Sequence, residues 1–587
     1  MAPLSGVADT HTHPLSNLGF GHNFVWGDPT EWGNPNTEDL SSLSACDGQT
    51  HGGHMRILGT DVFIPVIGPT DFTKRVFLGV DRQGSVQHGT NGLPDFKNWP
   101  DFGDGLHNQY HVRFIYRAYK LGNLRLMSAL AVNNRLLSQF MANDQDDAKA
   151  ITDQINAIKV MVTKYPWMEV ALTPGDIRRI VGEDRLAVVL GVEVDQLEAL
   201  CDVNHPSTGA AASWVPWLVE QLYSNGIRQV TPLHFADNSF GGFAVYDDLM
   251  NTSDQFATGH FAQVELSADV DFKYSFEQQQ FQGGVMPLVV PPPKPGYDRS
   301  DPEKGHVNSR GLQPAGEALL NEMMSRGMMI DIDHMSEKTA LAAMNVFVGK
   351  SYPFMSSHTS IRHLAFRDWE EYGWAPNPCT GGAPIRIGVA SERGLSDDIV
   401  IQLAKLGGMV SPGTAGGGTA KLKPTPNSFQ FPFNQADVPA GSSIAIAVGY
   451  LEAVRMLSDA GQAQPRVGLA TDFTLTPGCG PRFGPRIGPR PGFAKNQLRQ
   501  PAGARQLYQN DPGAGGDALP RYSAGGRTYD FNTDGMAHYG LLADYLADLR
   551  VIGLSDAQLA PLYASAESYT QMWETCRQIM NINPGDP

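Results

Sequence analysis

The feature that most constrains the fold is a recurring unit: a short apolar run that ends on a histidine or an acid and is followed by helical periodicity. The unit is plainest from Gly327 to Ser360, GMMIDIDHMSEKTALAAMNVFVGKSYPFMSSHTS. Two apolar runs, Met328 to Ile332 and Pro353 to Met355, lead to His334 and His358, and a helix is expected between them from Ser336 to Val348. A metal-capable side chain then stands at the carboxyl end of each strand, where parallel α/β folds build their sites.

Similar runs recur along the chain, so that eight strands are expected, ending near His11/His13, Asn133, Glu193, His234, His334, His358, Pro412 and Asp472. Strand alternating with helix over eight strands predicts an α/β fold, a (β/α)8 TIM barrel. Residues 1–587 are expected to form a single barrel domain with long βα-loop insertions at about 14–102, 239–307 and 363–390. A helical C-terminal segment is expected from Gly535 to Met580, and one long helix from about Arg135 to Lys164.

Composition excludes some functions. A formal net charge of -17 opposes nucleic-acid binding, which depends on Lys and Arg neutralising phosphates. No run approaches the ~18 consecutive apolar residues of a membrane span. Five scattered cysteines, Cys46, Cys201, Cys379, Cys479 and Cys576, form neither a zinc knuckle nor a disulfide framework. No signal peptide is visible. The expectation is a cytoplasmic protein, with a secreted mature form as the alternative, acting on a small molecule, its assembly into a homo-oligomer left open.

The chemistry follows from the residues at the strand ends. His11 and His13, at i and i+2 on an extended strand, point to the same side. Glu193 closes the apolar run LAVVLGVE, and an acid ending a buried strand is costly unless a cation or a donor meets it. The His51/His54 pair reads as loop structure, and the thrice-repeated Gly-Pro-Arg after Asp472 as a basic surface loop. Imidazoles from His11, His13, His334 and His358 with the Glu193 carboxylate suit zinc or a neighbouring transition ion, whereas Mg and Ca favour oxygen donors. A carboxylate shared by two ions, with two histidines on each, points to metal-assisted hydrolysis by a metal-bridging hydroxide.

These residues resemble the membrane dipeptidase (renal dipeptidase) family of zinc peptidases, within the amidohydrolase superfamily of barrels. The resemblance rests on HTH at 11–13, GVE at 191–193, GIRQVTPLH at 226–234, NSRGLQPAGEALLNEMMSRGMMIDIDHMS at 308–336, SHTS at 357–360, RGLSDD at 393–398 and VGLATDF at 467–473. It implies that His11 and His13 hold one zinc, that Glu193 bridges, and that His334 and His358 hold the other. It further implies that His234 polarises the substrate carbonyl, that an arginine holds the substrate carboxylate, and that Asp472 handles the proton. Arg393 is assigned to the carboxylate with Arg367 as its rival, and Asn238 joins His234 and Arg393 on the substrate side. His13 stands where the family has aspartate, which makes one ion the alternative to two. The implied activity is hydrolysis of a dipeptide or dipeptide-like amide. The alternatives are an enzyme of the same superfamily acting on a lactone, cyclic amide or specialised metabolite, and a catalytically inactive binding barrel.

Overall fold

The computed structural model describes residues 3–22, 24–33, 39–44, 53–57, 60–64, 108–139, 146–201, 213–245, 248–266, 306–364, 392–414, 443–473, 479, 507–511 and 518–586. His51, Arg367, the proline run 289–295 and the Gly-Pro-Arg repeats lie outside them.

Seven strands carry the barrel: β1 (Val7–Thr12), β2 (Leu124–Val132), β3 (Leu186–Glu193), β4 (Ile227–Thr231), β5 (Met329–Ile330), β6 (Met355–Thr359) and β7 (Met409–Pro412). β1 pairs with β2, β2 with β3, β3 with β4, β4 with β5, and β6 with β7, all parallel. Parallel bridges complete the circle. Asp331 pairs with Met355 between β5 and β6, Val410 and Gly413 pair with Val467 and Ala470, and Leu469 pairs with Asp9. The extended stretch 467–470 is thus the eighth member, and the sheet closes on itself as the TIM barrel that the alternation predicts.

The helices between the strands are α1 (Val112–Leu121), α2 (Asp147–Lys164), α3 (Pro174–Gly182), α4 (Val215–Ser224), α5 (Pro314–Ser325), α6 (Glu337–Lys350), α7 (Asp397–Lys405) and α8 (Ser443–Asp459). Their ends have local causes. Ser336 caps α6 by accepting from the Thr339 amide at 3.1 Å, and Thr173 and Asp176 form a reciprocal capping box on α3. Beyond α5, Gly327 takes φ 65°, the left-handed conformation that ends helices. A side chain there would also run into Arg577, since a Cβ would lie 2.7 Å from its Cγ.

The helix expected from Arg135 to Lys164 is two helices, Arg135–Gln139 and α2. Asp146 starts the second by accepting from the Lys149 amide at 2.7 Å, an N-cap that an unbroken periodicity conceals. Within the first insertion, Gly53–Ile57 pairs antiparallel with Thr60–Ile64. The expected C-terminal helix is broken into Phe531–Asp534, Leu542–Val551, Asp556–Tyr563 and a last helix, α9 (Ser565–Ile579). Among the described residues no helix is long and apolar enough to cross a membrane.

α9 forms the floor of the barrel. Ser565 Oγ accepts from the Ala8 amide at 2.7 Å, and the Tyr569 hydroxyl donates to Gln229 Oε1 at 2.8 Å. Trp573 Nε1 donates to the Gly327 carbonyl at 2.9 Å. These contacts lie at the amino ends of β1 and β5 and inside the barrel beneath β4, which leaves the carboxyl ends of the strands for chemistry.

The chain leaving β6 is stapled by His363, whose Nδ1 is 2.6 Å from Asp397 Oδ1 on α7 and whose Nε2 is 2.9 Å from Glu452 Oε1 on α8. Arg455 shares Glu452, and the preceding Arg362 pairs with Glu337 at 2.9 Å. Hydrogen bonds donated to the two carboxylates push the imidazole up to about 9. The folded value exceeds the unfolded one, so this stabilisation is complete below about pH 6.5 and is lost as the pH rises through about 9. With solvent screening, about 1 kcal/mol is at stake. Unfolding in urea at pH 6 and pH 10 should show a pH-dependent loss that His363→Gln lacks; equal pH dependence in the two proteins would refute the staple.

Candidate active site

The strand ends bring His11, His13, Glu193, His234, His334, His358 and Asp472 together. The five imidazoles and Glu193 are buried, none more than 4% exposed. The cluster is organised around Glu193. Its Oε2 lies 3.0 Å from His11 Nε2 and 3.3 Å from His13 Nε2, while its Oε1 lies 3.3 Å from His334 Nε2 and 3.6 Å from His358 Nε2. Each carboxylate oxygen thus serves one histidine pair. Within the pairs, the Nε2 atoms of His11 and His13 are 3.0 Å apart, and those of His334 and His358 2.8 Å.

Asp472 Oδ1 joins the first pair, 3.3 Å from His13 Nε2 and 3.8 Å from His11 Nε2. His234 stands at the side, its Nε2 4.0 Å from Glu193 Oε2. Arg393 Nη2 is 3.3 Å from His334 Nε2 and donates to the His358 carbonyl at 3.0 Å. Two members of the cluster hold left-handed backbone, His334 at φ 62° and Asp472 at φ 44°. Such conformations cost on the order of 1–3 kcal/mol each and persist where the surroundings impose them.

The ring orientations are set from behind. His11 Nδ1 meets Ser357 Oγ at 2.7 Å, and Ser357 in turn donates to Asp331. His358 Nδ1 is 3.1 Å from Asp333 Oδ2, whose carboxylate also accepts from the His358 amide and from Ser356 Oγ, both at 2.6 Å. His13 Nδ1 faces the Leu130 carbonyl at 3.1 Å, and His234 Nδ1 faces Asp195 Oδ1 at 3.2 Å. An oxygen behind Nδ1 fixes the tautomer and turns Nε2 forward as a donor atom, the arrangement found around metal-binding histidines.

The residues fit a metal. Donor sets His11/His13/Glu193 and Glu193/His234/His334 each lie within 4.8 Å of one another. A third set, His11/Asp331/His358, meets the same test; His358 Nε2 is 2.8 Å from His334 Nε2, and Asp331 reaches His11 through Ser357. Bond lengths of about 2.0–2.1 Å to a tetrahedral ion imply donor separations of roughly 3.3 Å, close to those around Glu193. Two Nε2 atoms at 2.8 Å share a single hydrogen bond at best, and Glu193 Oε1 has no hydrogen-bond donor. Burial would raise the Glu193 carboxyl, yet the imidazoles of His11, His358 and His234 hold it well below the usual range. Burial, aided by Arg393, keeps His334 well below its ordinary value, and burial with His11 and Arg393 does the same for His358. Both are therefore neutral and able to ligate. Hydrogen bonds to Asp472 and Glu193 outweigh burial and push His13 up to about 10, so an ion bound there displaces the Nε2 proton.

Asn238 is the sequence-selected residue that the structure turns elsewhere. Its Nδ2 donates to the Asp195 and Pro232 carbonyls at 3.2 and 2.8 Å, and its Oδ1 accepts from the Phe240 amide at 2.9 Å. Its polar atoms hold the loop after β4 in shape. Asp195, Asp331, Asp333 and Ser357 are supporting residues that the sequence reading passes over. The signal was present: Asp331 and Asp333 stand at the end of the apolar run from Met328, either side of Ile332, and like Glu193 are acids that are costly at the end of a buried strand unless a cation or a donor meets them.

An eight-stranded parallel barrel with this cluster at its carboxyl face is a metal-dependent hydrolase of the α/β class. Residues 297–368 match the family model of membrane dipeptidase (peptidase family M19). The match spans β5, α6 and β6 and so includes His334 and His358, and it bears out the resemblance to that family. No protein of curated function matches the sequence. Among solved structures, the probable dipeptidase PvdM from Pseudomonas aeruginosa is 13% identical, with 80% of this chain and 89% of that one covered and a TM-score of 0.42. An amidohydrolase from Pseudomonas aeruginosa is 13% identical, with coverages of 79% and 92% and a TM-score of 0.39. A metallo peptidase from Rhodobacter sphaeroides, liganded with a phosphinate mimic of the dipeptide L-Ala-D-Ala, is 12% identical, with coverages of 78% and 89% and a TM-score of 0.40.

Proposed function

We propose that this chain is a zinc-dependent hydrolase that cleaves a dipeptide or dipeptide-like amide. The observation that carries the reading is the division of Glu193, one oxygen toward His11 and His13 and the other toward His334 and His358. In this reading His11 and His13 would hold one zinc, His334 and His358 the second, with Glu193 serving both. When bound, zinc supplies Lewis acidity toward the scissile carbonyl and lowers the proton affinity of a water.

The remaining steps fall to side chains. Against the effect of burial, Glu193 and Asp195 hold His234 above its ordinary value; in its protonated form it keeps Nδ1–H on Asp195 and donates a hydrogen bond from Nε2 to the carbonyl oxygen as negative charge develops there. Arg393 binds the substrate carboxylate with its guanidinium and so sets the amide in register with the cluster. Burial alone would raise the Asp472 carboxyl, but the hydrogen bond with His13 and the neighbouring imidazoles bring it to about 2. It is an anion in the resting site, able to accept a proton from the attacking water and pass it to the leaving amine.

Chelation followed by zinc reconstitution tests the proposal. Treated protein should lose dipeptide hydrolysis and regain it with zinc, and elemental analysis should find two ions per chain. Hydrolysis that survives metal removal would refute it, and reloaded protein that leaves dipeptides intact but opens lactones or cyclic amides would move the substrate elsewhere.

A further inference from the structure

Phe235 immediately follows His234 in the loop after β4. The phenyl ring stacks on the His234 imidazole, with centroids 3.7 Å apart and planes at 26°, and meets His334 edge to face at 4.9 Å and 81°. His234 and His334 are buried, whereas Phe235 is half-buried. An apolar, half-exposed ring therefore flanks the two imidazoles.

The ring is rigidly mounted. Asp195 Oδ1 holds both members of the pair, 3.2 Å from His234 Nδ1 and accepting from the Phe235 amide at 3.1 Å. Asp195 Oδ2 is itself held by the Arg135 amide at 2.9 Å and Asn134 Nδ2 at 3.0 Å. A fixed aromatic face offers apolar contact without the entropic cost of ordering a loop on binding. The Arg393 guanidinium also reaches His334, 3.3 Å from its Nε2. The same histidine thus borders a group suited to an anion and a ring suited to a hydrocarbon.

We infer that Phe235 is a specificity-determining residue that selects substrates bearing an apolar or aromatic side chain on the residue whose carbonyl is cleaved. This rests on the dipeptidase reading, in which His234 contacts the carbonyl oxygen. With the substrate carboxylate on Arg393, the residue on the amino side of the carbonyl is the one whose side chain packs on the Phe235 ring. Filling an apolar wall of this kind is worth about tenfold or more in discrimination.

Two readouts test the inference. In zinc-loaded protein, calorimetry compares acetohydroxamate with 3-phenylpropionohydroxamate, and kinetics compare Gly-Gly with Phe-Gly. The parent should favour the phenyl-bearing member of each pair by about tenfold or more. Phe235→Ala should bring both ratios close to one, and Phe235→Leu should leave intermediate values. A parent without the preference, or a Phe235→Ala ratio within about twofold of the parent's, would overturn it. If no dipeptide is hydrolysed, the dipeptidase reading fails while the hydroxamate ratio still decides the role of Phe235. If the alanine variant does not fold, as judged by zinc content and circular dichroism, the leucine variant supplies the ratio.

Discussion

Glu193→Gln is expected to lower hydrolysis by on the order of 10³-fold or more and to reduce bound zinc below two ions per chain. Glutamine keeps the shape of the side chain but loses its charge, and one of its ends becomes an amide nitrogen that cannot ligate. Because Oε1 and Oε2 face different histidine pairs, either orientation of the amide deprives one pair of its oxygen. Metal-based stabilisation of a transition state is worth several kcal/mol, and about 4 kcal/mol corresponds to a factor near 10³. Elemental analysis and a dipeptide assay on one preparation check both parts. A glutamine variant with parental metal content and rate would remove Glu193 from the centre of the site.

The second large effect is on stability. Trp573 is fully buried in α9, and its Nε1 donates to the Gly327 carbonyl at the entry to β5. Trp573→Ala removes a large buried side chain and leaves that carbonyl without this donor. Such a truncation costs about 3–5 kcal/mol, which is a large share of the ~5–15 kcal/mol that keeps a protein folded. Trp573→Phe retains most of the packing and loses only the hydrogen bond, worth about 1 kcal/mol. Urea denaturation of the two variants should show this order. An alanine variant within about 1 kcal/mol of the parent would mean that the floor contributes little, against the cavity expectation.

Much of the fold was legible because the barrel strands are buried on both faces and read as apolar runs. The run LAVVLGVE became β3 with the same bounds, and the strand ends carrying His11, Glu193, His334 and His358 stand where the runs stop. The residue types at the site were legible for the same reason, since a ligand needs a particular chemistry at a strand end. The pairing was not: which oxygen of Glu193 faces which histidines depends on contacts across the barrel. Asn238 misled because a polar residue near a site looks alike in sequence whether it faces substrate or its own backbone. The breaks before α9 were hidden because its neighbours share one amphipathic pattern. The Ser555–Gln558 capping box that starts one of them is a local signal set inside it.

The route of the chain gives the two halves of the cluster different assembly histories. His334 and His358 are 24 residues apart and joined by a single helix, so their half can form from one continuous segment. His11 meets Glu193 across 182 residues, and β1 is completed only by Leu469 and by Ser565 in α9. Closing long loops is slow, and contacts that need them form last. The half that contains His13 is therefore the late one, made competent only when nearly the whole chain has been synthesised and folded.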